Sequence, residues 1–248
     1  MLHVDETGRP DGPPMLLVHG FMSSNLQWEL NVERLGAVHR LVLVEQPGHG
    51  RSHAPDDPTA YSASSVVAEL ERIRSALDID RCWVTGHSMG GAIALRYGLT
   101  HPDRTRGVAF TNSRAAFGAS RADRPDEQEQ LRQATDLRAL PYHPIHARRF
   151  PAELQQRMVE VADQMQPHVV SHVGRNVGGW RVADELGRLR PPALLVNGRW
   201  ERAFQPYVAQ AEKAIADLTV VHLEGGHSIN IEQAEGFDRA VLELTARG

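Results

Sequence analysis

Few folds accommodate the run between positions 82 and 99. Cys82-Trp83-Val84-Thr85 reads as a short buried strand and Ala92-Ile93-Ala94-Leu95-Arg96-Tyr97-Gly98-Leu99 as a helix, with Gly86-His87-Ser88-Met89-Gly90-Gly91 between them. A strand that becomes a helix within one residue forces Ser88 to positive φ, a strained state for a residue with a side chain. Side chains at the flanking positions would collide with nearby backbone, which accounts for Gly86 and Gly90. Such a turn lifts the Ser88 hydroxyl clear of the sheet. It also aims a helix N-terminus, with its unpaired N–H groups and positive dipole end, at whatever that hydroxyl meets.

The rest of the chain repeats the strand-then-helix rhythm. Leu2-His3-Val4 reads as a short strand, and residues 7–14 are turn chemistry throughout. Met15-Leu16-Leu17-Val18, Arg40 to Glu45, Arg106 to Thr111, Pro192 to Asn197 and Leu218 to Leu223 are further strands. Most are near-continuously apolar, as strands covered on both faces should be. Helices are expected from Ser23 or Ser24 to about Leu35, over 62–77 with Val66, Val67, Leu70, Ile73 and Leu77 inward, over 206–216 and over 231–245. Buried strands vanish between 113 and 194, where prolines 125, 141, 144, 151 and 167 punctuate charged helical stretches at 125–140, 145–149, 151–164 and 167–177. The expected architecture is α/β: a mostly parallel, doubly covered sheet of about seven strands, with a core of 1–112 and 186–248 and a helical cap inserted over 113–185.

Composition narrows the partners. With 248 residues, a net charge of −4 and 41% hydrophobic residues, the chain is an ordinary globular protein. Nothing basic enough for nucleic acid appears. No apolar run approaches the roughly 18 residues of a membrane span, and no secretory leader is legible, so a cytoplasmic location without membrane contact is expected. The sequence leaves a homodimer open. Cys82, the one cysteine, falls in the elbow strand and reads as a small buried hydrophobe.

A serine hydroxyl is a poor nucleophile until a base takes its proton. Active sites in parallel sheets lie at the carboxyl ends of strands, and His227, in Glu224-Gly225-Gly226-His227-Ser228, follows the last one. Of the other histidines, His3, His39, His101 and His222 flank or sit within elements, and His19 and His49 precede the serine. His87, inside the elbow, is expected to point away from Ser88. The base needs an acid to hold its tautomer. The loop after Asn197 offers Glu201; Glu224 is the alternative, close in sequence to the base. The order Ser88, Glu201, His227 is that of elbow-type hydrolases. Two backbone N–H groups are needed for an oxyanion: Met89 after the nucleophile, and Phe21 after the strand ending at His19.

Taken with these motifs, the chain resembles the α/β-hydrolase superfamily over essentially its whole length. The segments that carry the resemblance are His19-Gly20-Phe21, Gln46-Pro47-Gly48-His49-Gly50-Arg51-Ser52, Gly86 to Gly91, Gly198 to Glu201 with Pro206 beyond, and Gly226-His227. It is similar to small-capped members: 3-oxoadipate enol-lactonases, short-chain carboxylesterases and the menaquinone-pathway SHCHC synthases. Thr111-Asn112-Ser113-Arg114-Ala115-Ala116 is similar to the cap entry of the enol-lactonases, and Glu201-Arg202-Ala203-Phe204 to the acid loop of the synthases, with Glu for the usual Asp. Glu45 stands where aspartate is common, and the short N-terminus implies that the first of eight strands is missing. The resemblance implies a serine hydrolase of a small-molecule ester or lactone without a cofactor. The alternatives are a C–C bond hydrolase or elimination-type lyase with the same triad, and a ligand-binding receptor without turnover. Serine at 88 sets the chain apart from the similar dehalogenases and epoxide hydrolases, which use aspartate.

Met22, Arg114 and Phe204 are candidate substrate contacts, Met22 and Phe204 as apolar lining, while one of Arg114, Arg148 and Arg149 is a candidate partner for a substrate carboxylate. Arg148 and Arg149 also fall in the cap. His168 and His172 stand four apart, a metal-capable spacing, but Val169 occupies the place of a zincin glutamate, and no metal is expected.

Overall fold

The computed structural model describes residues 2–118 and 136–247. Among these, seven strands form one sheet: β1 (Val4–Gly8), β2 (Pro14–Val18), β3 (Arg40–Val44), β4 (Cys82–Gly86), β5 (Thr105–Thr111), β6 (Ala193–Gly198) and β7 (Leu218–Leu223). The order is β1-β3-β2-β4-β5-β6-β7. Only β1, on β3, pairs antiparallel; every other described pair is parallel. The winding reverses between β2 and β4, which opens a crevice at the carboxyl ends of these two central strands.

Alternation along each strand sorts the core into two layers. Leu16, Val18, Val42, Val44, Val84, Val108 and Phe110 face one side of the sheet, together with α2 (Ala63–Ala76) and α3 (Met89–Thr100). Met15, Leu17, Leu41, Leu43, Trp83 and Ala109 face the other, against Trp28, Phe237 and Val241. Cys82 is buried as expected, and burial pushes its thiol up to about 12, so it stays protonated and unreactive. No described helix is long and apolar enough to cross a membrane.

Four sequence expectations change. β1 extends through Thr7 and Gly8, because the stretch that reads as a turn by composition is held in register from Val4↔Val44 to Gly8↔Arg40. The helix expected to reach Leu35 breaks in two. Ser24 caps a 3-10 turn (Asn25–Trp28), and α1 (Val32–Gly36) starts separately. The segment is pinned on opposite sides, Leu26 and Leu30 toward Leu154 and Met158, Trp28 toward the sheet. The closing helix likewise splits into two helices, Ile229–Glu232 and Ala234–Thr245, with the break at Gln233. The stretch 145–149 holds only a 3-10 turn (Pro144–His146), capped by the His143 ring, which accepts the Ile145 N–H. The expected helix 125–140 falls largely outside the described residues.

Between β5 and β6 come α4 (Arg114–Phe117), α5 (Ala152–Asp163) and α6 (Pro167–Asn176). Arg157 of α5 ties this region to Glu29 of the core, and Asn176 of α6 donates to the Pro58 carbonyl at 2.7 Å.

Candidate active site

Ser88 sits between β4 and α3 at φ 53°, the strained turn that the glycine pattern implies. A Cβ on Gly86 would lie 2.0 Å from the Gly90 carbonyl oxygen, and one on Gly90 would lie 2.1 Å from that of Val18. Real Cβ atoms do not approach backbone so closely, so both positions are closed to every other residue. The Ser88 N–H donates to Thr111 Oγ1 at 3.1 Å, which holds the strained residue from the end of β5.

Three side chains from three strand ends meet there. Ser88 Oγ lies 2.8 Å from His227 Nε2, and His227 Nδ1 lies 2.9 Å from Glu201 Oε2. A carboxylate can only accept, so Nδ1 carries the imidazole proton and Nε2 is left to accept from the Ser88 hydroxyl. Burial opposes charge on His227, but the Glu201 carboxylate outweighs it, and the imidazole is raised above its ordinary 6.5. Glu232 adds to this in the same direction. The loops that carry Glu201 and His227 touch so closely that a Cβ on Gly198 would lie 2.0 Å from the Gly226 carbonyl oxygen. Asn112 bonds both the N–H and the carbonyl of Gly198, fixing the start of the acid loop. Glu224 faces away from this chain of bonds: it accepts from Trp200 Nε1 at 2.9 Å and Arg199 at 3.1 Å.

The loop after β2 turns sharply at Met22, φ 54°, and brings Gly20, Phe21 and Met22 to the same cavity as Ser88 and Met89. Neither the Phe21 nor the Met89 N–H donates to an acceptor among the described residues. Both residues line a cavity of about 550 Å³. Its upper wall includes Tyr142, Arg148, Arg149, Phe150, Met158, Val173 and Trp180. Arg149 lies 4.9 Å over the Trp200 ring and 3.5 Å from Glu232, a contact between the segment that follows β5 and the loops that follow β6 and β7.

Of the expected substrate contacts, Met22 and Arg114 line this cavity. Phe204 does not. It is fully buried, edge-on to Phe117 at 5.9 Å and packed on Tyr207, because it opens the helix Gln205–Ala214 and turns into the core beneath. The expectation for His87 is also corrected. Its ring lines the cavity and meets that of His227 edge-on at 5.1 Å, with Nδ1 2.9 Å from Thr111 Oγ1. Burial, then the neighbouring His227 and His19, hold it well below the usual histidine range, so it is neutral beside the base.

Thr111 and Asn112 were legible only as a cap-entry segment. The signal for their site role is three small polar residues, Thr111-Asn112-Ser113, closing an apolar strand, all fully buried. Glu45 accepts the N–H groups of Asn25 (3.3 Å) and Arg51 (2.7 Å), so the extra methylene over aspartate is absorbed by loop anchoring. Among the described residues, no group of three or more His, Cys, Asp or Glu side chains is placed to hold a metal. His172 instead bonds the Asp56 carbonyl at 2.9 Å.

Known proteins match nearly the whole of this chain. A protein provisionally named the carbamate hydrolase RutD, from Variovorax paradoxus (strain S110), is 28% identical over 99% of this chain and 96% of its own length. The proline iminopeptidase of Neisseria gonorrhoeae is 28% identical over 97% of this chain and 71% of its own. The crystal structure of the enol-lactonase from Burkholderia xenovorans LB400 superposes with a TM-score of 0.87 at 23% identity, covering 99% of this chain and 96% of that one. Residues 13–234 match the family described as the alpha/beta hydrolase fold, and the chain belongs to it.

Proposed function

We propose that the protein is a serine hydrolase that cleaves a carboxylic ester or lactone of a small molecule. One observation carries this reading: the unbroken hydrogen-bond sequence Ser88 Oγ to His227 Nε2 and His227 Nδ1 to Glu201 Oε2, at the floor of the cavity. Ser88 Oγ attacks the substrate carbonyl carbon while His227 Nε2 takes the hydroxyl proton. The carbonyl oxygen becomes an oxyanion held by the Phe21 and Met89 N–H groups. Collapse of this intermediate breaks the bond to the alcohol oxygen, which leaves with the proton from His227. Water then enters, gives a proton to the same Nε2 and attacks the acyl carbon; the bond from that carbon to Ser88 Oγ breaks, Oγ takes the proton back from His227, and the acid leaves. The Glu201 carboxylate stabilises the imidazolium in both halves. The steps use side chains and backbone alone, and the inserted region over the cavity selects the acyl group.

Chromogenic esters from acetate to laurate, assayed with wild type and Ser88→Ala, test this reading. Turnover that peaks at one chain length and vanishes in the variant supports it and sizes the acyl pocket. Turnover retained by Ser88→Ala overturns it. A wild type that ignores all of these esters yet cleaves a C–C bond next to a carbonyl would move the same triad to the alternative chemistry.

A further inference from the structure

Beside the oxyanion loop lies a buried polar network that the proposed mechanism does not use. Asn230, three residues after His227, is fully buried. Its Nδ2 donates to the Gln27 carbonyl at 2.7 Å and to Asn31 Oδ1 at 3.2 Å, and its Oδ1 accepts from Gln27 Nε2 at 2.9 Å. Asn31 returns a bond to the Asn230 carbonyl at 3.0 Å and donates to Asp238 Oδ1 at 2.8 Å. Gln27 Oε1 accepts from Ser23 Oγ at 3.1 Å, and both side chains also line the cavity, on the loop that carries Phe21.

The geometry points to Asn230 as a positioning residue that locks the base loop to the oxyanion loop, so that His227 Nε2 and the Phe21 N–H are held in register around one reacting carbonyl group. The inference rests on the serine-hydrolase reading above. The two loops are about 200 residues apart in sequence and leave different strands, so nothing covalent sets their register. Apolar packing tolerates sliding; paired amide hydrogen bonds do not, because each is directional and costs a buried orphan when broken. Misplacement of an oxyanion donor or base by a fraction of an ångström weakens the transition state more than it weakens ground-state binding.

The test needs no natural substrate. The second-order rate of Ser88 labelling by a fluorophosphonate is measured for wild type, Asn230→Asp and Gln27→Met, at a temperature well below each Tm. The phosphonyl oxygen needs the same N–H donors, and the attack needs the same base. Asn230→Asp deletes the Nδ2 donors at constant shape; Gln27→Met deletes the reciprocal donor from the other loop and keeps the inference testable if the first variant does not fold. Labelling should slow by about tenfold or more in each variant. On any ester that is turned over, kcat should fall by a similar factor with KM within about threefold. The double variant should fall by less than the product of the two single losses, since each cuts different hydrogen bonds of one lock. Labelling rates within twofold of wild type alongside a lowered Tm make the network structural only and overturn the inference, as do additive losses in the double variant. A wild type that does not label at Ser88 overturns the underlying hydrolase reading instead, and the inference with it.

Discussion

Glu201→Gln removes the charge that faces His227 while keeping size and shape. In the wild type the carboxylate oxygen lies 2.9 Å from Nδ1. Two unit charges at that separation attract by about 6 kcal/mol at an effective dielectric of about 20. The imidazole is 42% exposed and the carboxylate 15%, so solvent screens part of this. Halving the attraction leaves about 3 kcal/mol, and each 1.36 kcal/mol is about tenfold in rate. A fall in kcat of about 10²- to 10⁴-fold is therefore expected, the upper end including the wrong tautomer that an amide at this position can stabilise. The pH profile gives an independent check. Only the neutral imidazole can act as base, so the acid limb of kcat/KM follows the His227 pKa. In the wild type that limb should lie above 6.5, since Glu201 raises the imidazole against burial. Without the carboxylate, burial acts unopposed by Glu201, and the limb should move to lower pH. Steady-state rates from pH 5 to 9, normalised to Ser88 titrated in each preparation, supply both numbers. A loss under tenfold, or an unmoved limb, refutes the role assigned to Glu201.

Other outcomes follow from the same geometry. Glu224→Gln should leave kcat within about twofold, since that side chain bonds Trp200 and Arg199 rather than the base; a loss matching that of Glu201→Gln would reassign the acid. Gly198→Ala places a Cβ against the Gly226 carbonyl and should cost roughly 2 kcal/mol or more in urea unfolding, together with activity, because the acid and base loops must part; unchanged stability and rate would contradict the packing. Burial pushes the Asp238 carboxyl up to about 7, from 3.8 in a solvated carboxylate. The folded state thus holds that proton at pH values where the unfolded chain has lost it. This contribution is full below about pH 4 and lost as pH rises to about 7, a change of up to about 4 kcal/mol. Asp238→Asn should gain stability relative to wild type over that interval in unfolding measurements at pH 4 and 8, and a difference independent of pH would contradict it.

Much of this was legible in the sequence because local and tertiary demands coincide. The elbow announces itself in five residues, since the strained turn excludes side chains on both sides of Ser88. Its partners could be found by position, because a parallel sheet delivers every strand end to one edge. The sequence does not place Phe204, because an apolar residue at the mouth of a strand looks the same whether its side chain turns into the cavity or into the core, and only the direction of the helix it opens decides. Nor does the sequence place the His87 ring, which meets that of His227 from a loop far away in the chain. The Asn230 network was invisible, since polar residues some 200 positions apart show no periodicity that links them. The broken helix at Asn25–Trp28 was hidden because its caps and propensities are ordinary; packing on opposite sides divides it.

The central claim is that Ser88 is a nucleophile activated by His227. Intact-protein and peptide mass spectrometry after brief fluorophosphonate exposure, at pH 8 and at pH 5, tests it most directly. A single adduct on the peptide bearing Ser88, formed more slowly at pH 5 and absent from Ser88→Ala, is the expected result. An adduct on another residue, or labelling of Ser88 at equal rates at both pH values, would contradict it.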